Sequence, residues 1–218
     1  MDYAHFDTSA GERKTPTAKF NRPKISAELQ ALRESAFERS IPTADDETLT
    51  FLITQLRALQ PKRILELGTA TGISGIAMLE VCPGAHLTTV EKNTEFFQEA
   101  VKNFECFQMH MRVNAINADA GEAIDMLPDT YDFIFMDCAK VQYIKYLPRL
   151  KKLLVRGGVL LADDILLFGW ITGEAEVPKK RKMLYEHVCE YVHAVTNDKE
   201  LATTIINTGD GLAFSVKL

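Results

Sequence analysis

The spacing of hydrophobic and polar positions changes from helical to strand-like along the chain. Apolar residues repeat every three or four positions from Ile25 and again over residues 49–59, which predicts two amphipathic helices. Pro42 separates them, because a proline interrupts a helix. Thr43 and Asp46 have the spacing of a capping box, with Asp in place of the usual Glu or Gln, so we expect the second helix to start near Thr43.

After Pro61, short apolar runs alternate with helical patterns. Seven runs predict strands over residues 63–67, 86–90, 111–116, 131–136, 158–162, 202–207 and 212–217. Helices are predicted between them, up to residue 81 and over 94–104, 120–127, 143–154 and 178–194. This alternation predicts an α/β fold, a doubly wound Rossmann-like sheet of seven strands that is mainly parallel and has an antiparallel C-terminal hairpin strand.

Composition favours a single folded unit. Of the 218 residues, 46% are hydrophobic and 25% are charged, a mix typical of soluble globular proteins. We predict a flexible N-terminal arm over residues 1–24 and one domain over residues 25–218. No apolar run approaches the length of a membrane span, and the arm lacks the apolar stretch of a signal peptide. The four cysteines are scattered without a CxxC pair, which indicates reduced thiols in a cytoplasmic protein.

The clearest chemical signal follows the first predicted strand. Residues 66–72 read ELGTATG and lie between a strand and a helix, where open α/β sheets bind ligands. Ala70 replaces the middle glycine of the dinucleotide pattern GxGxxG, so the loop suits a nucleoside ligand without a pyrophosphate. Glu91 ends the second strand, a place suited to an acidic residue that holds ribose hydroxyls. A tight turn beside an incidental surface glutamate is the structural alternative.

Acidic residues follow two later strands. Asp137 comes directly after residues 131–136, and Asp163 and Asp164 come directly after residues 158–162. Because the carboxyl ends of parallel strands meet at one edge of a sheet, these carboxylates would lie together and repel one another. A hard divalent cation such as Mg²⁺ relieves that repulsion. Helix N-capping by aspartate explains the same residues equally well from their chemistry alone.

Residues 66–72, Glu91, Asp119-Ala120 and the strand that ends at Asp137 together resemble class I S-adenosylmethionine-dependent methyltransferases. From about Pro42 to the C-terminus, the chain is similar to the metal-dependent O-methyltransferases that include the catechol and caffeoyl-CoA enzymes and their bacterial relatives. The resemblance implies S-adenosylmethionine as the cofactor. It also implies the cofactor contacts, which are Glu66, Gly68, Gly72 and Ser74 on the methionine side, Glu91 at the ribose, Asp119 and Ala120 at the adenine, Ala44 over the cofactor, and Asp137.

The same resemblance implies how the acidic residues act. The family pattern DxxK matches Asp137 and Lys140, and its DN pair matches Asp163, although Asp164 stands where the family usually has asparagine. Asp137, Asp163 and Asp164 would then hold Mg²⁺ or another divalent cation, which lowers the pKa of a bound hydroxyl group. Lys140 would act as a catalytic residue with Asp137, either as a general base, if its own pKa is depressed, or by stabilising charge.

The tail of the chain bears on the methyl acceptor. Residues 209–213 (GDGLA) resemble the animal catechol enzymes but carry Ala213 where those enzymes have a glutamate. Together with Ile41-Pro42, Glu47 and residues 61–66, they look most like bacterial tRNA 5-hydroxyuridine methyltransferases. The resemblance therefore favours 5-hydroxyuridine at the tRNA wobble position as the acceptor.

Other functions stay open. Bacterial relatives with similar motifs methylate small catechols, so a phenolic metabolite is the main alternative to tRNA. The formal net charge of −5 argues against non-specific nucleic-acid binding, whereas the basic run 179–182 offers a local phosphate contact. Trp170, in the apolar loop 165–170, would either stack on a planar ring or pack, in the core or at a dimer face. Ala70 disfavours a dehydrogenase, and a non-catalytic cofactor-binding protein is expected if Asp164 spoils the metal site. The resemblance also implies a homodimer.

Overall fold

Alternating strands and helices build the computed structural model, which describes residues 15–128 and 130–218. The strands are β1 (Arg63–Leu67), β2 (His86–Glu91), β3 (Val113–Asn117), β4 (Tyr131–Met136), β5 (Leu154–Ala162), β6 (Leu201–Ile206) and β7 (Leu212–Lys217). The helices are α1 (Ala27–Glu38), α2 (Asp46–Leu59), α3 (Ile73–Val81), α4 (Thr94–Cys106), α5 (Ala120–Met126), α6 (Tyr143–Leu153) and α7 (Lys182–Asn197).

All of these strands join one sheet in the order β3-β2-β1-β4-β5-β7-β6. Strands β1 to β5 pair in parallel, and β7 pairs antiparallel with both β5 and β6. The predicted doubly wound sheet with an antiparallel C-terminal hairpin is therefore confirmed. The strand order reverses between β1 and β4, and in such sheets ligands bind in the crevice at that point.

Helices cover both faces of the sheet. Side chains along a strand alternate between the faces, so each face presents apolar residues that the helices bury. On β1, Leu65 and Leu67 pack towards α5, α6 and α7, whereas Ile64 packs towards α1 to α4 together with Phe135 of β4. Burial on both faces is typical of parallel sheets and explains the nearly continuous apolar runs of the strands. Glu66 lies between Leu65 and Leu67 and is fully buried, so it is a polar exception within β1.

The start of α2 differs from the sequence prediction. The helix begins at Asp46, and Asp45 caps it by accepting a hydrogen bond from the Thr48 N–H at 2.7 Å. The proposed capping box at Thr43 is therefore wrong. Aspartate is at least as good an N-cap as threonine, and residues 43–45 contain one of each, so the sequence pattern alone did not distinguish them. The shift leaves Thr43 and its neighbours in a segment ahead of the helix that is neither helix nor strand.

Two further boundaries also moved. Strand β5 begins at Leu154, earlier than predicted, because a bulge around Gly157 (φ 77°) restores pairing between Leu154 and Tyr131. Helix α7 begins at Lys182, after the basic run has formed a 3₁₀ turn over Lys179–Arg181. Neither change alters the topology, since both lie at the ends of correctly predicted elements.

The end of the predicted arm packs against the domain. Thr15 is buried and donates its backbone N–H to Glu47 at 3.2 Å, and a 3₁₀ turn follows over Ala18–Phe20. The remainder of the arm, residues 1–14, lies outside the described residues. Within the described part of the chain, no helix has both the length and the apolar character of a membrane span, and all four cysteines are free.

Candidate active site

A cavity opens where the strand order reverses between β1 and β4. It encloses about 330 Å³ of space free of protein atoms, a volume that includes open solvent at its mouth. The wall consists of residues 42–44 ahead of α2, residues 68–71 after β1, the start of α3, Leu49 and Asp137. Four of the residues that the sequence predicts at the cofactor therefore line one cavity, namely Ala44, Gly68, Ser74 and Asp137.

The loop after β1 depends on its glycines. Gly68 and Gly72 have φ angles of 102° and 88°, which only glycine adopts without strain. A side chain at Gly68 would overlap the backbone carbonyl oxygen of Asp137, so the ends of β1 and β4 approach closely only because this residue is glycine. Gly72 directly precedes α3 and packs against Phe104 of α4.

Glu91 is fixed against the same loop. Its Oε2 accepts a hydrogen bond from the Ala70 N–H at 2.9 Å, and its Oε1 accepts one from the Asn93 N–H at 2.8 Å. Ala70 has a positive φ of 43°, and this hydrogen bond helps to hold that conformation. A carboxylate has further lone pairs, so Glu91 keeps accepting capacity for a ligand hydroxyl.

Glu66 supports the loop from beneath. Its carboxylate accepts hydrogen bonds from Ser74 Oγ at 2.5 Å and from Thr89 Oγ1 at 2.6 Å. Burial raises the pKa of Glu66 to about 7; the two hydroxyl hydrogen bonds oppose this shift, and the charges of Asp137 and Glu91 add to it. Glu66 therefore binds a proton near neutral pH and ties β1 to the first turn of α3.

Asp119 and Ala120 lie further along the same edge of the sheet. Asp119 Oδ1 accepts a hydrogen bond from the Gly121 N–H at 2.8 Å and so caps α5. The Ala118 N–H donates to the backbone carbonyl of Glu91 at 3.1 Å, which joins this loop to the end of β2. The structure thus brings the two predicted adenine contacts beside Glu91, outside the set of residues that line the cavity.

The predicted acidic residues converge on one lysine. Lys140 is 7% exposed, and its Nζ lies 2.8 Å from Asp137 Oδ1 and 2.8 Å from Asp164 Oδ2. Asp163 Oδ1 accepts hydrogen bonds from Thr48 Oγ1 at 3.3 Å and from the Asp164 N–H at 2.7 Å. The partners of these carboxylates are the lysine, a threonine hydroxyl and the backbone N–H of Asp164. None of these contacts caps a helix, so the helix N-capping alternative is wrong for them.

Charge is unbalanced in this cluster. Burial raises the pKa of Asp163 well above its usual range, and the charges of Asp164 and Asp137 add to the shift. Asp45 also faces the cluster, and burial raises its pKa, with Asp164 contributing. Burial opposes the charge on Lys140, but Asp137 and Asp164 outweigh it and raise the pKa of Lys140 well above its usual range. Without a bound cation, these two carboxylates therefore favour the ammonium form of Lys140.

The donor chemistry of the cluster fits a divalent cation. Asp137, Asp163 and Asp164 offer carboxylate oxygens, the ligands that Mg²⁺ prefers, and a cation would offset their excess charge. Within residues 15–128 and 130–218, no group of three His, Cys, Asp or Glu side chains is arranged to hold a metal ion, and Lys140 Nζ lies between two of the carboxylates. Mg²⁺ commonly takes only one or two carboxylates and completes its shell with water and substrate oxygens.

Two threonine hydroxyls at the cavity were missed by the sequence prediction. Thr43 and Thr71 line the cavity, and their buried Oγ1 atoms have no hydrogen-bond partner among the described residues. Buried polar atoms without partners are rare, which makes a ligand the natural partner. Thr71 lies within the loop at 66–72, but the prediction for that loop depended on the spacing of its glycines and gave no role to the threonine. Thr43 lies next to the predicted Ala44.

The loop after β5 is held by the turn between β6 and β7. The Leu166 N–H donates to the Asp210 carbonyl at 2.8 Å, and the Phe168 N–H donates to Asp210 Oδ1 at 2.6 Å. Leu167 and Phe168 have positive φ angles of 48° and 58°, which are strained for residues other than glycine. Asp210 therefore stabilises an unusual loop conformation directly after Asp164.

Trp170 packs in the core of the protein. It is 8% exposed and belongs to the apolar cluster beneath α6 and α7, and its ring lies 5.5 Å from that of Phe168. Of the two roles that the sequence left open for this residue, the structure shows packing. Phe168 is only partly buried and is the more accessible aromatic ring of the loop.

Comparisons with known proteins agree with this geometry. The O-methyltransferase family model matches residues 21–218. Caffeoyl-CoA O-methyltransferase from Populus kitakamiensis is 25% identical over 212 residues, which cover 90% of this chain and 88% of the relative. Flavonoid 3′,5′-methyltransferase from Vitis vinifera is 26% identical over 212 residues, with 90% and 89% covered. The solved structure of a candidate caffeoyl-CoA O-methyltransferase from Staphylococcus aureus has a TM-score of 0.81 and 30% identity, with 88% of this chain and 93% of that chain covered.

The matched region contains the whole sheet, the cavity and the acidic cluster. Coverage close to the full length of each relative means that the likeness extends beyond β1 to β3 to the later strands and the loops that join them. The chain belongs to the O-methyltransferase family and is an S-adenosylmethionine-dependent enzyme of the caffeoyl-CoA O-methyltransferase type.

Proposed function

We propose that the protein transfers a methyl group from S-adenosylmethionine to a hydroxyl of a small phenolic acceptor. The position of Asp137 carries this proposal, because Asp137 lines the cavity and also holds Lys140 in the acidic cluster. A methyl donor in the cavity and a hydroxyl at the cluster would therefore meet at one residue. The names of two relatives, a caffeoyl-CoA enzyme and a flavonoid enzyme, support a phenolic acceptor.

The cavity is assigned to the cofactor by its position and its lining. The proposed contacts are Ala44, Glu66, Gly68, Gly72, Ser74, Glu91, Asp119, Ala120 and Asp137, to which the unpartnered hydroxyls of Thr43 and Thr71 are added. In this proposal, Glu91 holds the ribose with lone pairs that the Ala70 and Asn93 N–H groups leave available.

Thr71→Val tests the cavity assignment, since valine keeps the volume and removes the hydroxyl. We expect the dissociation constant of S-adenosylhomocysteine, measured by calorimetry, to rise by about five- to tenfold, as expected for one lost hydrogen bond. Thr204→Val, on the exposed side of β6, is the matched control and should bind as the wild type does. An unchanged dissociation constant in Thr71→Val would place the cofactor elsewhere.

For the metal, we propose Mg²⁺ or another divalent cation held by Asp137, Asp163 and Asp164. Support comes from the excess carboxylates around Lys140 and from their oxygen donors. When bound, such a cation supplies a lower pKa for a coordinated hydroxyl and offsets negative charge. Lys140 holds Asp137 and Asp164 in place and stabilises negative charge at the acceptor oxygen, because its ammonium form is favoured by two carboxylates at 2.8 Å.

Metal binding can be measured without turnover. Mg²⁺ should raise the Tm of the wild-type protein, and EDTA should reverse the rise. Asp163→Asn should reduce the shift, whereas Asp164→Asn, which restores the family's usual residue, should retain it. No Tm shift in any of the three proteins, together with turnover that survives EDTA, would contradict the metal assignment.

Electrostatics favour a phenolic acceptor over tRNA. The cluster holds four carboxylates and one lysine, since Asp45 adds its charge to those of Asp137, Asp163 and Asp164, and the formal net charge of the chain is −5. Nucleic-acid binding draws most of its affinity from cations that neutralise phosphates, so this site would repel an RNA backbone. The cations at 179–182 are the feature that favours tRNA, because they form a compact basic run at the start of α7.

Methyl transfer from labelled S-adenosylmethionine separates the two acceptors. A catechol or a caffeoyl ester and tRNA that lacks the wobble methoxy group are offered in parallel, each with Mg²⁺ or with EDTA. We expect transfer to the phenol only. Transfer to tRNA only would overturn the phenolic proposal. In that case, the double variant Lys179→Glu/Lys180→Glu should transfer less methyl to tRNA than the wild type, whereas Lys62→Glu should match the wild type. The tRNA would then contact the basic run.

We also propose a homodimer in the cytoplasm. The exposed Phe37 and Leu59 in the two N-terminal helices support association of these helices. Light scattering tests the proposal by comparing the mass in solution with the chain mass of 24.5 kDa. A mass equal to that of one chain would refute the dimer.

A further inference from the structure

A buried arginine holds the segment that closes one side of the cavity. Arg33 of α1 is 2% exposed. Its Nη2 donates to the backbone carbonyl of Ala44 at 2.7 Å, and its Nη1 forms an ion pair with Asp46, the first residue of α2. Residues 42–44 line the cavity, so Arg33 connects α1 to the cavity wall although it does not line the cavity itself.

The surroundings of Arg33 are not those of a residue that only fills space. Its guanidinium carbon lies 4.9 Å from the centre of the Phe37 ring, and its buried Nε has no hydrogen-bond partner among the described residues. Burial of a guanidinium is costly unless its contacts compensate, and an apolar residue of similar volume often packs equally well. The two contacts that Arg33 makes with residues 44 and 46 therefore account for the presence of an arginine here.

The segment that Arg33 holds has few other constraints. It lies between Ile41 and the helix cap Asp45, has no helical or strand hydrogen bonds, and exposes Pro42. The buried hydroxyl of Thr43 in this segment has no protein partner among the described residues. If the segment were released, binding a ligand would require the segment to be ordered first, which weakens affinity.

We propose that Arg33 is a positioning residue for cofactor binding. It fixes residues 42–44 in the conformation that closes the cavity over S-adenosylmethionine, through the Ala44 carbonyl and the Asp46 carboxylate. This inference rests on the assignment of the cavity to the cofactor under the proposed function. It predicts that loss of the two-pronged contact weakens cofactor binding and leaves the acidic cluster unaffected.

The test uses the full chain and two variants of Arg33. Arg33→Lys keeps the positive charge but loses the planar fork that reaches both partners, and Arg33→Met keeps much of the apolar stem. Arg39→Lys and Arg39→Met are matched controls, since Arg39 directly follows the same helix, is exposed and pairs with Glu99 on the surface. Calorimetry gives the dissociation constant of S-adenosylhomocysteine, kinetics give KM and kcat, and thermal unfolding gives the Tm without ligand.

In Arg33→Lys, the dissociation constant of S-adenosylhomocysteine and the KM for S-adenosylmethionine should each rise about tenfold. The kcat at saturating cofactor and the KM for the acceptor should stay within about twofold, because kcat and acceptor binding do not depend on the cavity wall once the cofactor is bound. Asp46→Asn weakens one of the two contacts and should raise the dissociation constant by a smaller factor. Both Arg39 variants should match the wild type.

A fall in Tm with an unchanged dissociation constant in Arg33→Lys would overturn the inference, because a purely structural residue behaves in that way. If Arg33→Met does not fold, Arg33→Lys and Asp46→Asn decide the question. The outcome for Thr71→Val separates the two proposals. If Thr71→Val weakens binding and Arg33→Lys does not, the cavity assignment stands and the role of Arg33 fails. If neither variant weakens binding, both the cavity assignment and the role of Arg33 fail.

Discussion

The loops after β1 and β2 and the loops after β4 and β5 are built in different ways. On the cofactor side, the Ala70 N–H donates a hydrogen bond to the side-chain carboxylate of Glu91 within one βαβ unit. On the acidic side, Lys140 pairs with Asp164 from another strand, and Asp210 from the last hairpin holds Phe168. The first pair of loops relies on local geometry, whereas the second relies on charges and on contacts distant in sequence.

This difference separates two functions within one crevice. A cofactor common to many enzymes can be bound by a compact unit whose shape depends on glycines and short hydrogen bonds. In the proposed function, the acceptor side involves the first turn of α2, the loop after β5 and the turn before β7, so a change in any of them would alter acceptor binding. We therefore expect substitutions on the two sides to affect different kinetic constants.

Gly68→Ala should have the largest effect, because Gly68 is the point of contact between the two sides. The added Cβ would overlap the Asp137 carbonyl in a backbone with φ of 102°, so we expect a loss of about 3 kcal/mol or more of unfolding free energy. Gly157→Ala is the control, since Gly157 has φ of 77° and open space around it, and should cost about 1 kcal/mol. Urea unfolding of both variants measures the difference, and equal losses would show that strain alone acts.

Lys140→Met should reduce turnover by about 10²–10³-fold, because it removes the positive charge near the proposed acceptor oxygen. Lys151→Met is the matched control, since Lys151 also bridges two acids, Asp198 and Glu200, far from the cavity. Initial rates at saturating cofactor and acceptor measure the effect. Full turnover in Lys140→Met would remove Lys140 from the mechanism. A Lys140→Arg variant that keeps most of the activity would favour charge stabilisation over proton transfer.

Glu66→Gln should flatten the pH dependence of stability. The pKa of Glu66 is about 7 in the folded protein and near 4.5 when unperturbed, so the folded state binds more protons between these values. Unfolding free energy should therefore fall as the pH rises through this window, by about 3 kcal/mol from this group. Urea unfolding without cofactor at pH 5 and pH 8 should show a smaller loss in Glu66→Gln. Glu105→Gln, exposed on α4, should retain the wild-type loss, and equal losses in all three proteins would contradict the prediction.

Asp210→Ala should have the smallest effect, confined to the acceptor. It removes the carboxylate that accepts the Phe168 N–H and lets the strained loop after Asp164 relax. We expect the acceptor KM to rise about tenfold, while the dissociation constant of S-adenosylhomocysteine stays within about twofold. Asp125→Ala, on the exposed side of α5, should change neither constant. A weaker cofactor affinity in Asp210→Ala would show that the two sides of the crevice are coupled.

Much of the fold was predictable because its signals are local. Apolar runs of strand length separated by helical patterns are sufficient to predict a parallel sheet, and all seven strands were found. Residues 66–72 and the acidic residues after β4 and β5 were identifiable for the same reason. In a doubly wound fold, residues that directly follow the strands meet at one edge whatever their separation in sequence.

The amino-acid sequence by itself determined the topology, the glycine loop and the meeting of Asp137, Lys140, Asp163 and Asp164. Tertiary structure alone decided the charge balance around Lys140, whose pKa is lowered by burial and raised by Asp137 at the end of the same strand and by Asp164 after another strand. Tertiary structure also decided that the Thr43 and Thr71 hydroxyls lie at the cavity without a protein partner among the described residues, and that Arg33 hydrogen-bonds the Ala44 carbonyl ahead of α2. Such features leave no periodic trace in a single sequence, because they depend on which distant groups come within hydrogen-bond distance once the chain is packed.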